Sequence, residues 1–443
     1  MKKLHLLVLF AGVFVRQATA APTPADLTLR VSPERDLIYS NGSREVVVQI
    51  ELDARRPERG RRSPINLAVV LDRSGSMQGA KIEKAKQAAC VAVDHLADDD
   101  YFSLVTFDND TDVLLPPERV GGVRHREDLK SRIDRIRPCG GTAIYAGVTL
   151  GAKQVRRNLE KEFVNRVILL SDGLANVGPS RTSDLSALGR ELRRDGLSVT
   201  TVGLGDDYNE DLMTALAEAS NANYYYVRDA EKLPGIFAEE LGAARSLVAR
   251  GVTIHIRVPE GVRLKEIIGQ PEIECRGRSA DITLPEYFGG DKRRFLARCV
   301  VEEKSSASLE VASVDLKYEP AGGGSAEPQQ QAAKVDFTDE EKKSETSLRP
   351  EVTREVSIAE NRLAKERAVR LADEGKGKDA ADVLRGQAAR NAALPAAAQL
   401  PGQALENQKL DEAAKEIESR GTLSKTSRKG IQYENWQDKY QKR

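Results

Sequence analysis

INLAVVLDRSGSM, residues 65–77, is the stretch on which the fold turns. Ile65 to Leu71 is apolar except for Asn66, the pattern of a strand buried on both faces of a parallel sheet. Asp72 ends the run and Arg73-Ser74-Gly75-Ser76 makes a turn. From Lys81 to Leu96, residues Ile82, Ala85, Ala89, Val93 and Leu96 then recur at helical spacing. Further along the chain the same alternation continues. YFSLVTF (101–107) reads as a strand, 112–115 as a short edge strand, and 127–136 and 144–159 as helices. RVILL (166–170) is a second buried strand, followed by helix 185–194, strand 197–202, helix 210–219, strand 224–227 and helix 233–244. Strands alternating with helices predict an α/β fold with a doubly wound, mostly parallel sheet across 64–245. Ligands of such sheets bind at the carboxyl ends of the strands.

The flanks read differently. Residues 21–63 hold strand signals from 27 to 53, with Asn41-Gly42-Ser43 as a turn, then an Arg- and Pro-rich linker. Residues 246–320 return to β patterning in VTIHIRV, ADITL, RFLARCVVEE and SLEVASVDLKYE. The two stretches together predict one small β-sandwich beside the α/β unit. Residues 321–350 are read as linker or low complexity, with 321–334 either linker or hairpin tip, 351–420 as a helical hairpin or bundle, and 421–443 as a basic polar tail in solvent.

Lys+Arg and Asp+Glu both number 68 in 443 residues. No global field draws the chain to nucleic acid or anionic lipid, so function must come from a local site. Lys2 and Lys3, the apolar run from Leu4 to Val15, and Ala18-Thr19-Ala20 match a signal peptide over 1–20. Cleavage there would leave a secreted or periplasmic protein beginning at Ala21, with no transmembrane segment in the mature chain. Of the four cysteines, Cys275 and Cys299 lie in neighbouring strand-like segments and can form a disulfide. Cys90 and Cys139 are open either way. No Cys-x-x-Cys argues for zinc. The motifs of serine hydrolases, zinc peptidases and P-loop proteins are all missing, and the four histidines stand near no nucleophile motif, so the chain is read as non-enzymatic.

Three pieces carry chemistry: Asp72-Arg73-Ser74-Gly75-Ser76 after one buried strand, Gly140-Gly141-Thr142 opening a helix, and Ser171-Asp172-Gly173 after another buried strand. All three can lie on one rim of the sheet. Ser74, Ser76 and Thr142 offer neutral hydroxyl oxygens, while Asp72 and Asp172 offer negative charge. That is a donor set for a hard cation such as Mg2+, or Mn2+ or Ca2+ in its place. With hydroxyls as ligands the ion stays short of negative charge and open to an outside carboxylate. Arg73 holds a position that the pattern leaves free; it either tunes ligand choice or points to solvent. Asn109-Asp110-Thr111, like Asn41-Gly42-Ser43, is a glycosylation sequon.

The spacing Asp-x-Ser-x-Ser, then Thr, then Asp resembles the metal-ion-dependent adhesion site of von Willebrand factor A domains. The resemblance extends through INLAVVLDRSGSM, VTF (105–107), GGTAIYAGV (140–148), VILLSDGLANVG (167–178) and TVGLGDDYNEDLM (201–213). These stretches are similar to a bacterial secreted subgroup related to calcium-activated chloride channel-like proteins, with inter-alpha-trypsin inhibitor heavy chains as more distant cousins. The resemblance implies that Ser74, Ser76 and Thr142 contact a divalent metal, that Asp72 and Asp172 act directly or through water, and that a protein partner's Asp or Glu fills the remaining position. Two functions follow. One is an exported adhesion or assembly module that binds a protein through the metal. The other is a structural protein whose sandwich and C-terminal helices make the contacts, the metal only stabilising the rim.

Overall fold

The computed structural model describes residues 26–42, 44–56, 62–302, 308–396, 399 and 401–441; the segment 1–20, read from the sequence as a signal peptide, lies outside these. Three strands come first: β1 (Leu27–Pro33), β2 (Leu37–Tyr39) and β3 (Glu45–Ala54). The alternating part comprises β4 (Ile65–Asp72), α1 (Ala80–His95), β5 (Tyr101–Phe107), β6 (Thr111–Arg119), α2 (Val123–Ile133), α3 (Ile144–Arg156), β7 (Val164–Ser171), α4 (Thr182–Arg194), β8 (Leu197–Leu204), α5 (Glu210–Ala219), β9 (Tyr224–Val227) and α6 (Leu233–Ala244). Six strands follow: β10 (Leu247–Arg257), β11 (Val262–Ile267), β12 (Ser279–Phe288), β13 (Lys292–Val301), β14 (Leu309–Pro320) and β15 (Gln329–Thr338). Helices close the chain: α7 (Glu341–Thr346), α8 (Pro350–Asp373), α9 (Gly377–Ala392), α10 (Gln403–Arg420) and α11 (Lys425–Tyr440).

The central sheet runs β6-β5-β4-β7-β8-β9, parallel except for the antiparallel edge strand β6. Every residue of β4 is buried. Successive side chains of a strand point to opposite faces, and here both faces are covered. Leu67, Val69 and Leu71 join the core under α1, α2 and α6, while Ala68 and Val70 join the core under α3, α4 and α5. This explains why the deciding stretch is continuously apolar rather than alternating. The one polar residue of Ile65 to Leu71, Asn66, is satisfied: Nδ2 donates to the carbonyls of Val155 and Asn158 at 2.9 Å and to Asn165 Oδ1 at 3.0 Å.

Two polar features hold the far half of this unit. Arg166 and Glu240 form a buried ion pair at 3.1 Å, and Thr200 and Tyr225 donate to the same carboxylate at 2.8 and 2.7 Å. With one partner removed, the other charge would be left desolvated. Asn209 caps α5, its Oδ1 accepting from Leu212 N at 3.1 Å. Asn209→Ala should lower unfolding free energy by about 1 kcal/mol, read from the urea midpoint, with no change in secondary structure.

The flanking strands form the expected sandwich. One sheet runs β1-β3-β13-β11 and the other β12-β10-β14-β15-β2, around a core that includes Val48, Ile50, Ile254, Ile256, Val314 and Leu316. The N-terminal strands thus complete a domain whose other strands lie beyond the α/β unit in sequence.

Three expectations are corrected. The linker reading of 321–350 fails while the hairpin-tip alternative holds: residues 321–328 join β14 to Gln329–Thr338, which is β15, paired with β14 and, in parallel, with β2, and burying Ala333 and Val335. Backbone pairing compensates for its weak side-chain pattern. The 421–443 stretch is not a solvated tail, because 425–440 forms α11 with Trp436 only 3% exposed. Cys275 and Cys299 are free thiols. Cys299 sits buried on β13 opposite Leu264, whereas Cys275 lies in the loop between β11 and β12 rather than on a partner strand. Burial pushes the Cys299 thiol up to about 12.

The last helices pack inward. Val356 of α8 rests on Val47, Ile268 and Leu296 on the outer face of a sandwich sheet. Buried amides tie α8 to its neighbours: Gln387 Nε2 and Asn391 Nδ2 both donate to Asn361 Oδ1 at 2.9 Å, and Asn391 Nδ2 reaches Asn407 Oδ1 at 3.0 Å. Helix α11 returns to the α/β unit. Lys429 Nζ meets buried Glu210 at 2.5 Å, and Arg428 pairs with Glu210, with Asp211 at 2.8 Å and with Asp373 at 3.0 Å. Among the described residues no helix is long and apolar enough to cross a membrane.

Candidate functional site

The carboxyl ends of β4 and β7 bring the five singled-out residues to one rim. Asp72 closes β4 and Asp172 follows β7, both completely buried. Each oxygen of Asp72 is held: Oδ1 accepts from Ser74 N at 2.7 Å and Oδ2 from the Ser171 hydroxyl at 2.5 Å. Burial, opposed by these bonds, pushes the Asp72 carboxyl up to about 6. Asp172 is held on both oxygens as well, by Ser76 Oγ at 2.7 Å and Lys81 Nζ at 2.5 Å. Ser74 and Ser76 hydroxyls lie 3.0 Å apart.

Thr142 arrives from the loop before α3. That loop is pinned to the Asp72 turn by Gly75 N to Gly140 O at 3.1 Å and Cys139 N to Arg73 O at 2.6 Å. Gly140 has φ +70°, a conformation that glycine adopts without strain. An added Cβ at Gly173 would meet Thr142 Oγ1 at 2.8 Å and Ser76 Oγ at 3.5 Å. The Asp172-Gly173 turn therefore closes directly onto both hydroxyls, and a side chain there would intrude on the space they share. The rim gathers three hydroxyls and two desolvated carboxylates, all hard oxygen donors of the kind that magnesium or calcium takes. Among the described residues no group of three or more His, Cys, Asp or Glu could hold a metal, so a cation at this rim would depend on the hydroxyls.

Several residues of the rim carry no motif of their own. Arg73 neither faces solvent freely nor reaches the carboxylate pair; its Nε donates to Asp108 Oδ2 at 2.7 Å. That pairing helps to hold the Asp108 carboxyl below its ordinary range, against burial as the largest opposing influence. Asn109, visible in the sequence only as part of a sequon, accepts from Gly141 N at 2.9 Å, and Asn176 accepts from Thr142 N at 2.8 Å. Asn176 lies within the VILLSDGLANVG segment, four residues after Asp172, and that position was the available clue. Lys81 begins the helical pattern but gave no sign that it would reach Asp172, because the contact spans 91 residues.

A crevice of about 1060 Å³ lies elsewhere, where α5, the loop after β11, α8 and α11 meet. Its charged lining is spent on internal pairs such as Arg362–Glu366, Arg428–Asp211 and Lys439–Glu218. The rim of β4 and β7 instead gathers hydroxyls and carboxylates that converge on one place.

Residues 66–239, which hold this rim, match the family model described as the von Willebrand factor type A domain. The uncharacterized protein sll0103 of Synechocystis is 25% identical over 309 residues, covering 67% of this chain and 72% of that one. Human inter-alpha-trypsin inhibitor heavy chain H2 is 29% identical over 166 residues, which is 36% of this chain and 17% of that protein. The whole architecture recurs in a solved structure, the von Willebrand factor type A protein from Catenulispora acidiphila. It has TM-score 0.71 and 18% identity, covering 94% of this chain and 97% of that one. The ArnB paralog VWA2 from Sulfolobus acidocaldarius gives TM-score 0.59 at 18% identity, with 94% and 99% covered.

Proposed function

We propose that this chain is an exported, non-catalytic protein-binding module in which a divalent cation at the β4/β7 rim takes an Asp or Glu from a partner. The observation that carries this reading is the convergence of Ser74, Ser76 and Thr142 with Asp72 and Asp172, each carboxylate oxygen already oriented by a donor. Ser74, Ser76 and Thr142 would hold the ion. Asp72 and Asp172 would balance its charge directly or through water. The ion would supply Lewis acidity toward an incoming carboxylate. Magnesium suits this site best among the hard cations, with manganese and calcium as substitutes.

Two further points favour it. A heavy chain of inter-alpha-trypsin inhibitor matches over 166 residues, 36% of this chain. The surfaces on which the structural reading relies are largely engaged within the molecule, since α8 packs on the sandwich and α11 on the α/β unit. Export rests on the 1–20 segment. The narrower likeness to the chloride channel-like subgroup rests on the quoted sequence segments alone.

Calorimetric titration of the full chain with magnesium, manganese and calcium tests the reading; saturable binding is expected, and its absence for all three ions would overturn it. Asn176→Ala should weaken that binding about tenfold, as loss of an orienting partner does at metal sites, because Thr142 N loses its acceptor. Unchanged affinity would show that Thr142 is held without it.

A further inference from the structure

Lys81 stands in the first turn of α1 and places its ammonium 2.5 Å from Oδ2 of Asp172, a carboxylate with no solvent exposure. The lysine side chain is itself about one-third exposed, at 34%. It also lies against the loop after β8, where a Cβ on Gly205 would come within 3.7 Å of its Nζ. The other basic side chain of the rim, Arg73, is committed to Asp108. Lys81 is therefore the cation that acts on the carboxylate pair.

The charge balance follows from these contacts. Two ionised carboxylates and one ammonium leave the rim with a single net negative charge. A dication would turn that into a single net positive charge, whereas without the ammonium the loaded rim would be neutral. Like charges close together in a partly desolvated site oppose one another strongly. The same excess positive charge attracts an anion.

We propose that Lys81 makes cation binding and acidic-ligand binding at this rim depend on each other: its ammonium weakens retention of the metal alone and strengthens capture of a carboxylate once the metal is present. This rests on reading the rim as a cation site. By linkage, the factor by which a carboxylate tightens the metal equals the factor by which the metal tightens the carboxylate. The module would then stay largely unloaded until a partner's acidic side chain arrives, and release both together.

The experiment is calorimetric titration of the full chain with manganese, alone and in saturating glutarate as the acidic probe, for the wild type, Lys81→Met, Lys81→Gln and Lys81→Arg. Wild type is expected to bind manganese weakly alone and about tenfold more tightly with glutarate. Lys81→Met and Lys81→Gln should bind manganese alone about tenfold more tightly than wild type and lose most of the glutarate enhancement. Lys81→Arg, which keeps the charge, should behave as wild type. A lysine that merely positioned Asp172 would give the opposite sign, with weaker manganese binding and an unchanged glutarate ratio. That result, or equal manganese affinity in wild type and both neutral variants, would overturn the inference while leaving the cation site standing. Absence of manganese binding in wild type and every variant, with circular dichroism showing them folded, would overturn the cation site and this inference with it.

Discussion

Asp72→Ala is expected to abolish cation binding, lowering manganese affinity by about 100-fold or more. Losing an orienting partner of a metal ligand costs about 10–100-fold, and Asp72 would in addition supply charge to the proposed ion. It is fully buried, and its two oxygens fix Ser74 N and the Ser171 hydroxyl at once. Removing it takes away negative charge and releases the turn that carries Ser74 and Ser76. The fold should survive. The substitution strands two donors at about 1–3 kcal/mol each, but it also removes a carboxylate that burial already pushes up to about 6. Asp72→Asn provides a closer isostere that keeps an acceptor for Ser74 N. Circular dichroism should show both variants folded, and calorimetry should show neither binding manganese. Manganese affinity within a few-fold of wild type in both would place any cation elsewhere in the molecule.

The second large effect concerns the C-terminal helix. Trp436 is 3% exposed and lies parallel to Tyr433 (interplanar angle 1°, centroids 6.5 Å apart), with Tyr440 stacked against it at 5.1 Å and Tyr225 of β9 6.5 Å away. It belongs to the same core as Leu216, Ala217 and Tyr224 on the α5 face of the sheet. Trp436→Ala should cost about 3–5 kcal/mol, the usual range for truncating a buried aromatic. The loss should fall first on the attachment of α11. What would remain is chiefly the ion pairing of Arg428 and Lys429 with Glu210 and Asp211, and those groups regain hydration once the helix detaches. Limited proteolysis should then cut near 421–424 in the variant and not in wild type, with a lower urea midpoint. Equal protection in both proteins would mean that the ion pairs alone hold the helix.

The α/β unit was legible because it is locally written. A fully buried parallel strand must be apolar at every position, and INLAVVL is so except at Asn66; the helix after it repeats its apolar residues at helical spacing. The five rim residues were legible for a related reason. Each sits directly at the end of a strand or the start of a helix, where the chain reverses and the backbone sets the side chain's place. Strand β15 was missed because QQQAAKVDFT takes its order from backbone pairing with β14 and β2, which leaves little trace in residue type. Helix α11 was missed because its polar and basic residues read as solvated. Its charges instead meet Glu210 and Asp211, more than 200 residues earlier in the chain.

Sequence alone thus determined the order of strands and helices in the central unit, and placed two carboxylates and three hydroxyls at positions that a single rim can share. Only the tertiary structure decided what those groups meet: that Ser171 and Ser76 orient the two aspartates, that Asn176 steadies Thr142, that Arg73 turns away to Asp108, and that Lys81 brings its charge to Asp172. The physical reason is range. Burial and periodicity act on neighbouring residues and mark the sequence directly. Hydrogen bonds and ion pairs join residues separated by up to about a hundred positions at this rim, and they exist only once the sheet has set the strand ends side by side.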